Sequence, residues 1–310
     1  MADLDKSYSE VSLNRYKKLL VTTMVFTYLL IVVGGIVRVT GSGLGCPDWP
    51  TCFGKWIPPM RADAIIEYIH RLVATLTSPL ILASAFIGWW KYRKVKLIKN
   101  TLLWAMFLLG VQGLLGGVVV LLETPPDLVA VHMGNALVIL GLIILAGMTV
   151  DKLITNPQEQ PRIAFKADFE KLALWTMIMI FVVLVTGAYT AGSGSTFACS
   201  GWPLCNGRLI PTHILGWIHM FHRLLVAITS VWVIRLYLQA RKNGDLSKGL
   251  NTTILWFVIL YLSQAAVGGL KVSLQFPVWL MGTHVALAAA VWFAIVLIAS
   301  QLGLKSGEGK

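Results

Sequence analysis

The sequence predicts an all-α integral membrane protein: eight transmembrane helices, arranged as two tandem four-helix bundles related by a pseudo-twofold axis along the membrane normal. Three observations lead there. Hydrophobic residues make up 56% of the 310 residues and charged residues only 13%, with a mean hydropathy of +0.74, far from the balance of a soluble domain. Eight apolar runs are each long enough to cross a bilayer, for which about 20 residues suffice. Polar landmarks also recur at a fixed offset of 152 residues: His70 with His222, His132 with His284, Gln112 with Gln264, and Gly116-Gly117 with Gly268-Gly269. Such self-similarity marks an internal duplication.

The spans follow in order. The first, 19–38, comes after Arg15, Lys17 and Lys18. It is too long for a signal peptide and lacks a small-residue cleavage site, so it reads as a retained helix. A loop containing C-P-D-W-P-T-C (46–52) leads to the second span, 64–90, which carries His70 and is interrupted only by Pro79. The third span, 101–122, is thinned by Gly113, Gly116 and Gly117, and the fourth, 128–150, carries His132. Residues 151–171, with T-N-P-Q-E-Q-P at 155–161, break helix continuity through Pro and charge. The second half repeats the plan. Span 172–191 leads through C-S-G-W-P-L-C (199–205) to 213–238 with His222, then 251–272 with Gln264, then 277–301 with His284. The predicted organisation is a first bundle over 1–150, a linker over 151–171 and a second bundle over 172–310. Four spans per half is an even number, so both halves enter the membrane in the same direction.

Orientation follows from where Lys and Arg fall. The N-terminal tail, the 91–100 and 151–171 loops, the 239–250 loop with Arg235, and the C-terminal tail hold 19 of the 26 Lys and Arg residues. The other side holds Arg38, Lys55, Arg61, Arg208 and Lys271, while Arg71 and Arg223 lie within helices. Both termini are therefore expected to be cytoplasmic, linker 151–171 with them, and both cysteine loops extracytoplasmic, in a multi-pass cell-membrane protein. The net charge of +12 follows from this distribution. It does not indicate a nucleic-acid partner, because the basic residues sit in short loops.

Ionisable residues within a bilayer are costly and usually functional, and here four histidines stand in a duplicated register. Counting 1.5 Å per residue from the span starts puts His70 about 9 Å and His132 about 6 Å deep on the same side. Two imidazoles facing each other between helices are a standard protein grip on haem iron, and the neighbouring small residues Gly134 and Gly282 leave room for a flat ring. A proton relay through the histidines and zinc ligation are competing readings; structural zinc usually takes four N/S ligands at close spacing.

One position breaks the symmetry. Glu67 lies one turn before His70 on the same helix face, whereas its counterpart before His222 is His219. A carboxyl group beside one histidine pair and not the other suggests that one half does chemistry and the other relays electrons. A structural hydrogen bond from Glu67 to Arg71 or to backbone is the alternative. Arg71 and Arg223 could grip haem propionates or snorkel to the interface. The paired cysteines, Cys46 with Cys52 and Cys199 with Cys205, suit either a structural staple or an exchangeable redox pair.

These elements resemble the haem A synthase family. The resemblance rests on T-G-S-G-L-G-C-P-D-W-P-T-C (40–52), E-Y-I-H-R (67–71), V-H-M-G (131–134), C-S-G-W-P-L-C (199–205), H-M-F-H-R (219–223) and T-H (283–284), and with the eight spans it covers almost the whole chain. It implies an oxidoreductase that converts haem O to haem A for terminal oxidases, oxidising the C8 methyl to a formyl group by successive hydroxylations. It further implies that His70 and His132 bind the haem O substrate, with Glu67 required for the oxidation. His222 and His284 would bind a haem b cofactor, and Cys46–Cys52 and Cys199–Cys205 would be disulfides. A haem O synthase and a membrane electron acceptor are the implied partners, and glycine-rich helix faces permit a homo-oligomer. His219 and His213 depart from the simple pattern, as further imidazoles near His222. Two other functions compete: a di-haem b-type electron-transfer cytochrome, and a secondary transporter, against which the unbroken histidine-bearing spans argue.

Overall fold

The computed structural model describes residues 9–157, 160–244 and 246–307. Eight helices account for most of it: α1 (Glu10–Val39), α2 (Ala62–Trp90), α3 (Lys96–Leu121), α4 (Pro126–Thr155), α5 (Asp168–Gly192), α6 (Ile214–Lys242), α7 (Lys248–Ser273) and α8 (Val278–Gly303). All eight are long and apolar enough to cross a membrane. At 25 to 30 residues each, they extend about 38 to 45 Å, beyond the roughly 30 Å of a hydrocarbon core. This is an eight-span, all-α membrane protein.

Several helices outrun their apolar stretches. The first starts nine residues before the predicted span, at Glu10, where the Ser9 side chain accepts the Ser12 N–H at 3.3 Å and an acidic residue meets the positive helix end. Hydropathy marks only the part of a helix that sits in hydrocarbon. The polar extension is held instead by an ion pair between Lys17 and Asp151 of α4. Pro126 occupies the first turn of α4, where its missing N–H costs nothing. As predicted, α2 runs continuously through Pro79.

The duplication extends to the backbone. The α3–α4 turn places Glu123 and Thr124 at φ 59° and 60°, and the α7–α8 turn repeats this at Gln275 and Phe276 with 59° and 63°. His70 and His222 both lie eight residues into their helices, and His132 and His284 both six residues in.

The seam between the halves is built from α1 and α4 against α5 and α8. Leu137, Leu140, Ile143 and Ile144 of α4 and Ile295 and Ile298 of α8 are fully buried there. Polar bonds cross it at intervals. Tyr28 Oη donates to the Ala286 carbonyl at 3.1 Å, and Trp292 Nε1 donates to the Leu137 carbonyl at 2.8 Å. Arg38 caps the carbonyl end of α5 at Ala191 (2.9 Å) and Gly192 (2.7 Å), where a cation meets the negative helix terminus.

The end of the bundle away from the cysteine loops carries a feature absent from the sequence expectations. Strands β1 (Gln160–Ile163) and β2 (Leu304–Gly307) pair antiparallel, from Gln160 opposite Gly307 to Ile163 opposite Leu304. Lys305 pairs with Glu170, and Lys152 Nζ donates to the Leu304 carbonyl at 3.1 Å. Part of the predicted linker is therefore strand. Four-residue strands have no readable periodicity, and the partner is far away in sequence. Residues 158 and 159 of the T-N-P-Q-E-Q-P stretch, and the terminal stretches 1–8 and 308–310 counted in the orientation reading, lie outside the described residues.

Trp292 of α8 packs its ring 5.6 Å from that of Phe181 of α5 and joins the halves through its bond to Leu137 of α4. Replacing it by Ala should cost about 3–5 kcal/mol, seen as a lowered unfolding temperature by circular dichroism in detergent. Trp292→Phe should recover most of the loss.

Candidate functional site

Each histidine ring rests on a glycine of the preceding helix. A Cβ added at Gly34 of α1 would stand 3.0 Å from His70 Cε1, and one at Gly187 of α5 3.0 Å from His222 Cε1. Gly116 of α3 and Gly268 of α7 serve His132 (3.4 Å) and His284 (3.0 Å) in the same way. At Gly34, Gly187 and Gly268 a Cβ would crowd the imidazole in its seat. The second glycine of each Gly-Gly pair receives a loop tryptophan instead, with Trp49 3.1 Å from a Cβ at Gly117 and Trp202 3.2 Å from one at Gly269. One dipeptide thus seats both a histidine and the loop above it. This explains why Gly-Gly and the loop W-P repeat together.

Within each half the two imidazoles lie within electrostatic range of each other, His70 with His132 and His222 with His284. Their hydrogen bonds define their protonation. The Gln112 amide donates to His132 Nε2 at 3.1 Å and is itself fixed by Asn135, which donates to Gln112 Oε1 at 2.7 Å. Gln264 donates to His284 Nε2 at 3.3 Å. A donor on Nε2 leaves the lone pair there and the proton on Nδ1. The Thr186 hydroxyl stands 3.4 Å from His222 Nδ1 and 2.8 Å from the Val182 carbonyl. Neutral imidazoles are what iron ligation requires, and a bound iron would take the Nε2 lone pair in place of the glutamine amide. His70 Nδ1, His132 Nδ1 and His284 Nδ1 are buried with no partner among the described residues. The residues present therefore fit a flat, iron-bearing macrocycle in each half. Among the described residues no group of three or more His, Cys, Asp or Glu side chains is placed to hold a metal ion, which leaves the zinc reading without a cage.

Above each pair sits a disulfide-closed loop, Cys46–Cys52 in the first half and Cys199–Cys205 in the second. The arginine after the first histidine of each half holds the loop down. Arg71 Nη1 donates to the carbonyls of Asp48 (2.9 Å) and Thr51 (2.6 Å), and Arg223 Nη1 to those of Gly201 and Pro203 (both 2.9 Å).

Glu67 and His219 are both deeply buried, at 3% and 5% exposed. Glu67 Oε1 accepts from Arg71 Nη2 at 2.6 Å and Oε2 from the Cys46 N–H at 2.9 Å. The carboxylate therefore ties helix, arginine and disulfide loop into one unit. His219 Nδ1 is buried with no partner among the described residues. His213, unassigned from sequence, is the N-cap of α6, its Nδ1 accepting the Gly216 N–H at 3.2 Å.

Two halves of four helices, each with two half-buried imidazoles beneath a disulfide-bonded loop, define a polytopic membrane protein with a duplicated histidine-pair site. Residues 17–296 match the sequence model of a family described as Cytochrome oxidase assembly protein. A protein named Heme A synthase from Shouchella clausii is 30% identical over 90% of this chain and 94% of its own length. Another of that name from Halalkalibacterium halodurans is 31% identical over 79% and 83% respectively. The chain belongs to the haem A synthase family of cytochrome oxidase assembly proteins.

The two loops are pinned by different chemistry, and pH separates them. Asp48 accepts from the Thr51 hydroxyl, from the Gly54 N–H at 2.8 Å and from the Phe53 N–H at 2.5 Å. The Thr51 bond foremost, with those backbone bonds, holds its carboxyl below the usual carboxylate range. A depressed folded value contributes stability that is complete above the unfolded value, about 3.9, and lost as pH falls through the folded one. The second loop relies on neutral Asn206, whose Oδ1 accepts from the Ser200 N–H at 2.8 Å. Hydrogen exchange corrected for intrinsic rates should show the Phe53 and Gly54 amides losing protection below about pH 4, while the Ser200 amide does not respond.

Proposed function

We propose that this protein is a haem A synthase, an oxidoreductase that takes haem O as substrate and oxidises its C8 methyl to a formyl group. The observation that supports the reading is the set of four half-buried imidazoles, two in each half, each seated on a glycine of the preceding helix. The first bundle, residues 1–150, holds the substrate through His70 and His132. The second bundle, residues 172–310, holds a haem b through His222 and His284, joined to the first by the 151–171 linker.

Methyl to formyl is a four-electron oxidation, reached by two hydroxylations and loss of water from the resulting geminal diol. When bound, the haem b supplies a one-electron relay toward a membrane electron acceptor. The protein's own side chains do the rest. Gln112 and Asn135 orient His132. Gln264 and Thr186 orient His284 and His222. Trp49 and Trp202, lying on the helix glycines beneath the disulfide loops, shield the sites from water. Glu67 is the residue assigned to the oxidation, as a base positioned at the first site only. Its bonds to Arg71 and the Cys46 N–H hold the carboxylate ready at a fixed point and let its protonation be felt by the loop. The positive-inside distribution places both termini and the linker in the cytoplasm and both loops outside. Haem O would arrive from a haem O synthase, and small-residue helix faces would serve a homo-oligomer.

Pyridine haemochrome analysis with mass spectrometry of the co-purifying porphyrins tests this directly. Haem b together with haem O or haem A is expected. Glu67→Ala should abolish haem A formation, a loss of at least 100-fold, while sparing the haem b spectrum. Haem A accumulating in that variant would remove Glu67 from the chemistry. A preparation containing haem b alone would favour a di-haem electron-transfer cytochrome.

A further inference from the structure

The two halves differ in how their cations are compensated. In the first, Arg71 is fully engaged: Nη1 holds the loop carbonyls and Nη2 is bonded to Glu67 at 2.6 Å. In the second, the equivalent Arg223 holds its loop through Nη1 in the same manner, but His219 stands in place of the glutamate. Arg223 Nη2 is left buried with no partner among the described residues.

A second cation stands beside it. Lys271 lies three residues beyond Gly268, the glycine under the His284 ring, hence one turn toward the loop on the same face of α7. Its ammonium is within electrostatic range of His219, His222, His284 and Arg223. No ion pair compensates it among the described residues. The corresponding position in the first half is Val119. Two cations at the end of a membrane bundle, uncompensated and next to two imidazoles, are costly unless an anion completes the site.

We propose that Arg223 Nη2 and Lys271 Nζ together bind the two propionate carboxylates of the haem held by the second bundle, and that the first bundle has no equivalent clamp. This rests on the reading that His222 and His284 hold a haem. One guanidinium and one ammonium neutralise two carboxylates, and both approach from the loop end of the histidine pair. The first bundle, with Arg71 committed to Glu67 and a valine in place of the lysine, grips its porphyrin by iron and packing alone. The difference suits the tasks: the clamped haem is a resident, and the unclamped one can be exchanged as substrate and product.

The test uses the full chain purified in detergent, comparing the parent with Lys271→Gln, Lys271→Met, Lys271→Arg and His222→Ala. Haem release to excess apomyoglobin and the midpoint potential of the haem b are measured for each. Lys271→Gln is expected to release haem b about tenfold faster, with a lowered midpoint potential, because a nearby cation favours the more negative reduced state. Lys271→Arg should stay within about twofold of the parent. Lys271→Met removes the charge without leaving a polar stub in the membrane, and reads the same effect if the glutamine variant fails to fold. Unchanged release and potential in both neutral variants overturn the clamp, as would follow if Lys271 held a lipid phosphate. A full complement of haem b in His222→Ala would instead overturn the placement of haem in the second bundle, and the clamp with it.

Discussion

Hydrocarbon offers no hydrogen-bond partner, so every polar group within the eight helices must find one in the protein or in what the protein binds. The rest of the structure depends on this constraint. It is the reason Thr23, Thr27, Thr77, Thr149, Thr176 and Thr229 turn their hydroxyls back onto carbonyls of their own helices. It is also why Trp292 spends its one N–H on Leu137. Against that background, the unpartnered nitrogens of His70, His132, His284 and Arg223 stand apart. They cluster at one end of the bundle, under the disulfide loops.

Much of this was legible in the sequence because membrane insertion and duplication both leave simple marks. Eight spans, the paired histidines and the odd pairing of Glu67 with His219 could be read from hydropathy and offset alone. The roles of the arginines could not. A guanidinium beside a proposed haem suggests a propionate partner, yet Arg71 is consumed by loop carbonyls and Glu67, because a cysteine loop folded back on α2 brings several carbonyls within its reach. His213 looked like a spare ligand and is a helix cap. Gln112 and Gln264 were visible as a repeat, but their purpose, fixing which imidazole nitrogen carries the proton, needed the α3–α4 and α7–α8 geometry. The strand pair escaped notice because eight residues at distant positions carry no periodic signal.

The duplicated scaffold also shows how a symmetric fold acquires two different sites. The glycine seats, the tryptophan lids and the left-handed turns are kept in both halves, and they set shape. What differs is charge and hydrogen-bonding capacity: Glu67 against His219, Val119 against Lys271, Asn135 against Leu287. Each pair occupies an equivalent position in the repeat. Shape was conserved between the copies while polarity was free to separate.

The β1–β2 pairing has a consequence for biogenesis. Strand β1 follows the first four helices directly, but its partner is 141 residues further along, from Ile163 to Leu304. At ordinary translation rates that gap corresponds to on the order of ten seconds, during which four more helices must enter the membrane. Throughout that interval the first half waits with its linker strand unpaired and its α1–α4 seam uncovered. Closure of the sheet, with Lys305 reaching Glu170, is therefore among the last events of assembly.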